Sequence, residues 1–411
     1  MKSCALAACV VLAACTPPRS ADRVRAADAC RSGPVTLWLD FEGAGVVHAA
    51  ADDSSAMPVA SVLAPTNAIV PPLSSPEIAP KVTRAQTIAA IVDRVRTLYK
   101  PFAVDVVTAR PAAAPYTRIL VGGTAAALGV SATEAGLARL DCGNLTDGDV
   151  AYDFSAAQTP DYGGVVGIAN TAAHEAGHAF GLEHVNDAHD VMYAAATPAL
   201  TLPELFGLAF GAAGAFTAYG SVSGVRSCTS SDPIDEPAIL DCNVGAAAAG
   251  GDVQAPTVDF AAPPAPVPST TTLTATASDN VGVVRVEAYK NLELIAALDA
   301  PPYTFTVDAA PAEHFYVTVE AIDAARNRGT ITRALVGATP QPTDDGGAPP
   351  ADFALYTPSP NKSSGCSLAP SPARAPLWFW LLLSAVGARL STRSRASRRS
   401  SGSGSSAPRC R

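Results

Sequence analysis

Residues 171–193 read TAAHEAGHAFGLEHVNDAHDVMY and hold four of the six histidines in the chain. His174 and His178 are four residues apart, so on an α-helix both imidazoles lie on one face, one turn above the other. Asn170 or Thr171 is expected to cap this helix and Gly181 to stop it, because glycine takes positive φ without a Cβ penalty. After that turn His184 can swing back towards the pair. Three neutral imidazoles leave one tetrahedral position open, the pattern of a catalytic zinc site. Glu175, beside the first histidine, is placed to take a proton from a water at the metal and to return it to a leaving amine. Five fixed identities at this spacing arise by chance about once in three million positions, so the pattern dominates any reading of the chain. His189 follows the third ligand by five residues; as a fourth ligand it would close the open position, so it is read as a polar loop residue. His48 and His314 are assigned no role.

Charge narrows the remaining classes. All 37 Asp and Glu fall between residues 16 and 365, where 19 Lys and Arg face them, a net charge of −18, while seven arginines sit beyond residue 388. An acidic body of this kind argues against nucleic-acid binding, which needs a basic face. It suits a solvated extracytoplasmic domain.

Both ends read as addresses. The opening MKSCALAACVVLAACTPPRS carries one lysine, a short apolar run and Leu12-Ala13-Ala14-Cys15, a secretory signal with a small-residue cleavage site. It resembles a bacterial lipobox with Cys15 as the lipidated residue; the other reading is an ordinary signal peptide. Near the other end, Gly365 and Cys366 precede a Pro-rich spacer, the run LWFWLLLSAVGA and an arginine cluster. The run is shorter than the roughly 20 residues of a comfortable span, and the arginines mark the side that stays in the cytoplasm. The layout resembles the MYXO-CTERM type of sorting tail of myxobacterial surface proteins, which implies removal of the tail and modification at Cys366; a plain tail anchor is the alternative. Cys30, Cys142, Cys228 and Cys242 remain, and an even number in an oxidising compartment implies two disulfides in one of three pairings. The local loop Cys228–Cys242, leaving Cys30 with Cys142, is expected.

Between the ends the chain divides by pattern. VTLWLDF (35–41) alternates as a strand, residues 42–80 read as a long Ala/Pro/Ser-rich loop, and residues 83–100 carry apolar positions at helical spacing up to Pro101. FAVDVVTARP, YTRILVGG and GDVAYDFSA are β-rich runs, and a further helix is expected from Pro203 onward. The order β–α–β–β–β–α–loop–α gives an α/β (α+β) domain with a mixed sheet at 33–225. It is preceded by a signal at 1–15 and a tether at 16–32, and followed by a linker at 226–255. Residues 256–337 change to alternating strands, an all-β sandwich; SDNVGVVRVEAY, PPYTFTVD and VTVEAIDAARN resemble a bacterial Ig-like domain. A Pro/Gly-rich stalk (338–365) and the sorting tail (366–411) complete the chain.

His174-Glu175-x-x-His178-x-x-Gly181-x-x-His184 matches the metzincin signature HExxHxxGxxH, and Met192-Tyr193 at its spacing resembles the Met-turn of the matrixin branch. The resemblance implies a metzincin-like fold, one catalytic Zn2+ on His174, His178 and His184, Glu175 as the base, and Met192 as an apolar floor that does not ligate. GDVAYDFSA resembles the edge strand that pairs with an extended substrate in this family. Three departures stand out: Ala194 replaces a common proline, Tyr193 is one residue too early for a zinc-binding tyrosine, and the cysteine latency motif is missing. Calcium sites cannot be read from scattered Asp. The expectation is an envelope-anchored, monomeric zinc endopeptidase acting on protein or peptide substrates at the cell surface, anchored by its lipid, its tail or both. The rival is a surface adhesin that keeps the fold but not the chemistry; the intact Glu175 speaks against it.

Overall fold

The computed structural model describes residues 34–130, 134–160, 163–185, 187–193, 200–211, 228 and 234–339. Strand β1 (Val35–Asp40) opens the fold. It is followed by β2 (Ala44–His48), β3 (Val59–Ser61), β4 (Ala68–Val70) and helices α1 (Ser75–Ile78) and α2 (Arg84–Leu98). Next come β5 (Val104–Val107), β6 (Thr117–Val121), α3 (Ala125–Leu128), β7 (Gly136–Leu137), β8 (Val150–Asp153), α4 (Gly164–Ala179) and α5 (Glu236–Asn243). The main sheet runs β5-β1-β6-β8-β7, with every pair parallel except the edge pair β7·β8.

Alternation along the strands builds a core on each face of this sheet. Ile119, Val121 and Ala151 point into the layer of α2 and α4, while Leu120, Val150 and Tyr152 point into a second layer with Val46, Val59 and Leu128. That second layer is the small sheet β3-β2-β4. It lies within the stretch expected as a loop, since three-residue strands show no usable period. On the same side, the buried Arg118 pairs with Asp40 and lies over the Trp38 ring, 4.1 Å from its centroid. On the helical side α2 starts as expected: Thr83 and Gln86 form a reciprocal capping box. The fully buried Tyr99 donates its hydroxyl to the Ala173 carbonyl at 2.8 Å and so ties the α2 end to α4.

Four expectations need correction. GDVAYDFSA is not the edge: β8 is buried at all four positions between β6 and β7, and β7 is the edge strand. The helix of the histidines starts at Gly164, not at Asn170 or Thr171. Those two side chains sit inside it, Asn170 donating to the Leu205 carbonyl and Thr171 accepting from Gln158. The helix expected from Pro203 is a 3-10 turn, Leu202–Gly207. The stretch expected as a linker contributes α5, whose Leu240 is buried in the helical core with Ile234 and Val244. Ala103 N–H then bonds the Gly245 carbonyl at 2.7 Å.

The disulfides also differ from expectation. Cys142 pairs with Cys228, and Cys242 is itself disulfide-bonded, so the local Cys228–Cys242 loop does not form. Cys15, Gly365, Cys366 and the tail lie outside the described residues. Among the described residues no helix is long and apolar enough to cross a membrane.

The C-terminal part is all antiparallel: β9 (Thr257–Phe260), β10 (Thr270–Ser278) and β13 (Tyr303–Asp308) form one sheet. The other is made by β11 (Val283–Lys290), β12 (Glu293–Leu298), β14 (His314–Asp323) and β15 (Arg328–Val336). The two sheets enclose an Ig-like sandwich core of Phe260, Leu273, Phe305, Val317 and Val319 with their neighbours.

Candidate functional site

Helix α4 presents His174 and His178 on one face, and Gly181 closes it at φ +93°. Gly181 N–H bonds the His178 carbonyl at 3.0 Å and Leu182 N–H bonds the Gly177 carbonyl at 2.8 Å, a Schellman closure. The chain returns through His184, and the three Nε2 atoms converge at 3.0, 3.1 and 3.2 Å from one another. His174 Nδ1 donates to the Val191 carbonyl at 2.7 Å and His178 Nδ1 to the Leu182 carbonyl at 2.8 Å. With the protons held on Nδ1, the Nε2 lone pairs turn inward.

Burial keeps these rings neutral. It pushes His174 down to about 4 and, with the neighbouring His174, His184 down to about 3. His178 falls well below the ordinary histidine range, through burial and then the other two rings. Three inward lone pairs at this separation repel one another unless a cation lies between them. Neutral imidazoles in a three-nitrogen set suit zinc, whose bonds to histidine are about 2.0–2.1 Å. The donor set therefore fits the ion.

The surroundings are tightly fitted. Glu175 is 1 % exposed, and Gly136 on β7 stands against it: a Cβ there would fall 2.7 Å from Glu175 Cγ. Met192 is fully buried against α4, its Sδ 2.6 Å from where a Cβ on Gly177 would be. Met192 is held by its own turn: its N–H bonds Asp190 Oδ1 at 2.6 Å, and its carbonyl takes the Val185 N–H at 3.0 Å. Asp190 in turn meets Glu236 of α5. Burial, followed by the charge of the partner, raises Glu236 to about 9, and burial raises Asp190 to about 7, so a proton sits between them at neutral pH. Asp153, at the end of β8, is also fully buried, and burial and the charge of Glu175 push its carboxyl well above the usual range.

His174, Glu175, His178, His184, Gly181 and Met192 thus come together. His189 does not: its side chain is 63 % exposed and faces Asp187 and Glu204. Sequence reasoning missed Gly136, Gly177, Asp153 and the Asp190·Glu236 pair. Gly177 lay inside the motif, where a second glycine in a helix was a visible signal. The others carried none, since their partners are remote in sequence.

Comparison with known proteins agrees with this geometry. A model of the matrixin family matches residues 134–203, from just before β7 to just beyond the Met-turn. That stretch of the chain is similar to the matrixin family. A bacterial Ig domain model matches residues 256–332, the sandwich. The match supports a metallopeptidase, and the three histidines within it could hold a metal ion. A search of curated proteins returns no match to the chain. Among solved structures, fibronectin(III)-like modules of Clostridium thermocellum CbhA are 24 % identical, with 21 % of this chain and 47 % of theirs covered, TM-score 0.19. The PKD1 domain of Vibrio anguillarum Epp is 16 % identical over 21 % of this chain and 98 % of its own, TM-score 0.18. OgpA from Akkermansia muciniphila is 11 % identical over 79 % of this chain and 99 % of its own, TM-score 0.22. With scores this low, these likenesses define neither fold nor function.

Proposed function

We propose that this protein is a zinc-dependent endopeptidase that hydrolyses peptide bonds in extracellular or cell-surface proteins. The observation that carries the reading is the meeting of three neutral imidazoles, two of them oriented by backbone carbonyls, with a buried glutamate on the helix that carries those two. His174, His178 and His184 would hold the zinc, which supplies Lewis acidity to polarise the scissile carbonyl and acidify a water. Glu175 would take a proton from the attacking water and return it to the departing amine. Strand β7 borders Glu175 and is the last strand of its sheet among the described residues, so its outer backbone edge is a template for an extended peptide. Met192 contributes a dry floor that fixes the rings.

The reading extends to location. The signal with Leu12-Ala13-Ala14-Cys15 and the Gly365-Cys366 tail support an envelope-anchored, monomeric protein, with lipid, tail or both as the anchor.

The decisive experiment measures zinc content and cleavage of casein and a peptide library by the wild type and by Glu175→Gln. Equal zinc in both, with activity reduced about 10²- to 10⁴-fold in the variant, is expected. A zinc-loaded wild type that cleaves nothing, or a variant as active as the wild type, sinks the proposal.

A further inference from the structure

The sandwich shares a core with the matrixin segment. Tyr289, Leu292 and Leu294 of the β11–β12 hairpin are buried in the same cluster as Ile91, Val95, Val165 and Ile168 of α2 and α4. The hairpin tip reaches the start of the active-site helix, where the Leu292 carbonyl lies 2.7 Å from the point a Cβ on Gly164 would occupy. Around this wedge runs a charged network that is itself buried. Arg94 of α2 pairs with Glu320 of β14; Arg328 of β15 bonds Glu320 at 2.8 Å and Glu287 at 3.2 Å; Tyr289 donates to Glu287 at 2.8 Å. Burial alone would raise the Glu320 carboxyl, yet Arg94 and Arg328 hold it below the usual range. Asp93 is gripped from the sandwich side by Arg285 at 3.2 Å and Arg326 at 2.9 Å.

A second route leads from this face to the metal centre. Tyr289 packs edge-on against Phe206, ring centroids 5.0 Å apart. Phe206 belongs to the segment whose Ala209 carbonyl accepts the Val191 N–H at 3.0 Å. Val191 offers its own carbonyl to His174 Nδ1. Contacts therefore run without a gap from the sandwich to a ligand ring. Modules joined by a linker move independently unless their interface is large and apolar. Here the interface is apolar at its centre and is crossed by ion pairs, Arg94 with Glu320 and Asp93 with Arg285 and Arg326, that fix its register.

We propose that the Ig-like sandwich is a positioning element of the metal centre: it braces α4 at Gly164 and the Met-turn through Phe206, and the matrixin segment does not form a metal-competent site without it. This rests on the zinc-peptidase reading above only for the identity of the metal.

The test uses the full chain and substitutions confined to the sandwich, far from the ligands. Thermal unfolding of the wild type is followed by circular dichroism and calorimetry with and without zinc. Zinc affinity of the wild type, Tyr289→Ala and Tyr289→Phe is measured by competition with a chromophoric chelator. One cooperative transition, shifted as a whole by zinc, is expected, with affinity about tenfold weaker in Tyr289→Ala, the size of effect seen when a group supporting a metal ligand is removed. Tyr289→Phe, which keeps the ring on Phe206, should bind zinc nearly as the wild type does. Two separate transitions of which zinc moves one, or a Tyr289→Ala protein with wild-type affinity, overturns the proposal. If Tyr289→Ala does not fold, the transition count of the wild type decides. A wild type that binds no zinc defeats the zinc-peptidase reading, while the number of transitions still tests the shared fold.

Discussion

Gly136 and Glu175 are in contact across the wall of the site: a Cβ on residue 136 would lie 2.7 Å from Glu175 Cγ and 2.8 Å from its Cδ. A strand from one edge of the sheet thus sets where the base can stand. Gly136→Ala should push the carboxylate off its position while leaving the three imidazoles alone. A misplacement near 1 Å lowers turnover about 10²-fold. The expected result is normal zinc content with kcat reduced by that order, measured on one peptide substrate. Unchanged kcat would mean that Glu175 is not held against β7.

The neutral rings give a second expectation. Unfolded histidine titrates near 6.5, whereas burial takes His174 to about 4 and His184 to about 3. Each folded value is depressed, so the stability linked to these rings in the zinc-free protein is complete above about pH 6.5. It loses stability as the pH falls through the folded values, because the unfolded chain takes up protons first. Zinc has no ring proton to displace well below neutrality. Affinity measured by chelator competition should stay flat from about pH 7.5 to about pH 5.5, where exposed histidines would already weaken.

The Asp190·Glu236 pair acts in the opposite sense. Both folded values are raised, so the stability linked to them is complete only below the unfolded carboxyl range of about pH 4 and is lost as pH rises from there through about 7 and about 9. Glu236→Gln removes that proton dependence and can keep the acceptor for Gly211 N–H. Its melting temperature should exceed that of the wild type at pH 9 and converge with it at about pH 4. A wild-type profile that is flat between those limits would dismiss the shared proton.

The disulfide Cys142–Cys228 closes a loop of 86 residues, and α4, His184 and the Met-turn all lie within it. By the loop-closure argument such a bridge contributes about 4 kcal/mol. A Cys142→Ser/Cys228→Ser variant, which leaves the disulfide of Cys242 in place, should unfold at a midpoint lowered by a matching amount and retain zinc less well, as read by atomic absorption after gel filtration. An unchanged midpoint would show that the packing of α4 does not need the bridge.

The parts of the fold legible in sequence were those written in local spacing. The period of 3.6 set α2 to within a residue or two, and the motif at 174–184 named the three histidines that converge, the glutamate beside them and the turn at Gly181. What remained hidden depends on pairs far apart in the chain. β8 carries a continuous apolar run because both its faces are covered, so its character as an inner strand could not be told from that of an edge strand. Asn170 and Thr171 had the chemistry of caps but find partners in Gln158 and Leu205. The eight-residue α5 was too short to show a period, and nothing in its sequence announces that Glu236 meets Asp190.

The common core of the two modules bears on the fate of a nicked molecule. Residues 247–255 form the connection that the endopeptidase activity proposed above could cut in a neighbouring copy. A break there would leave Tyr289, Leu292 and the arginine–glutamate network in place, so the halves would elute together from gel filtration and part only on a denaturing gel. Self-digestion at the joint would be a scar and not an off switch.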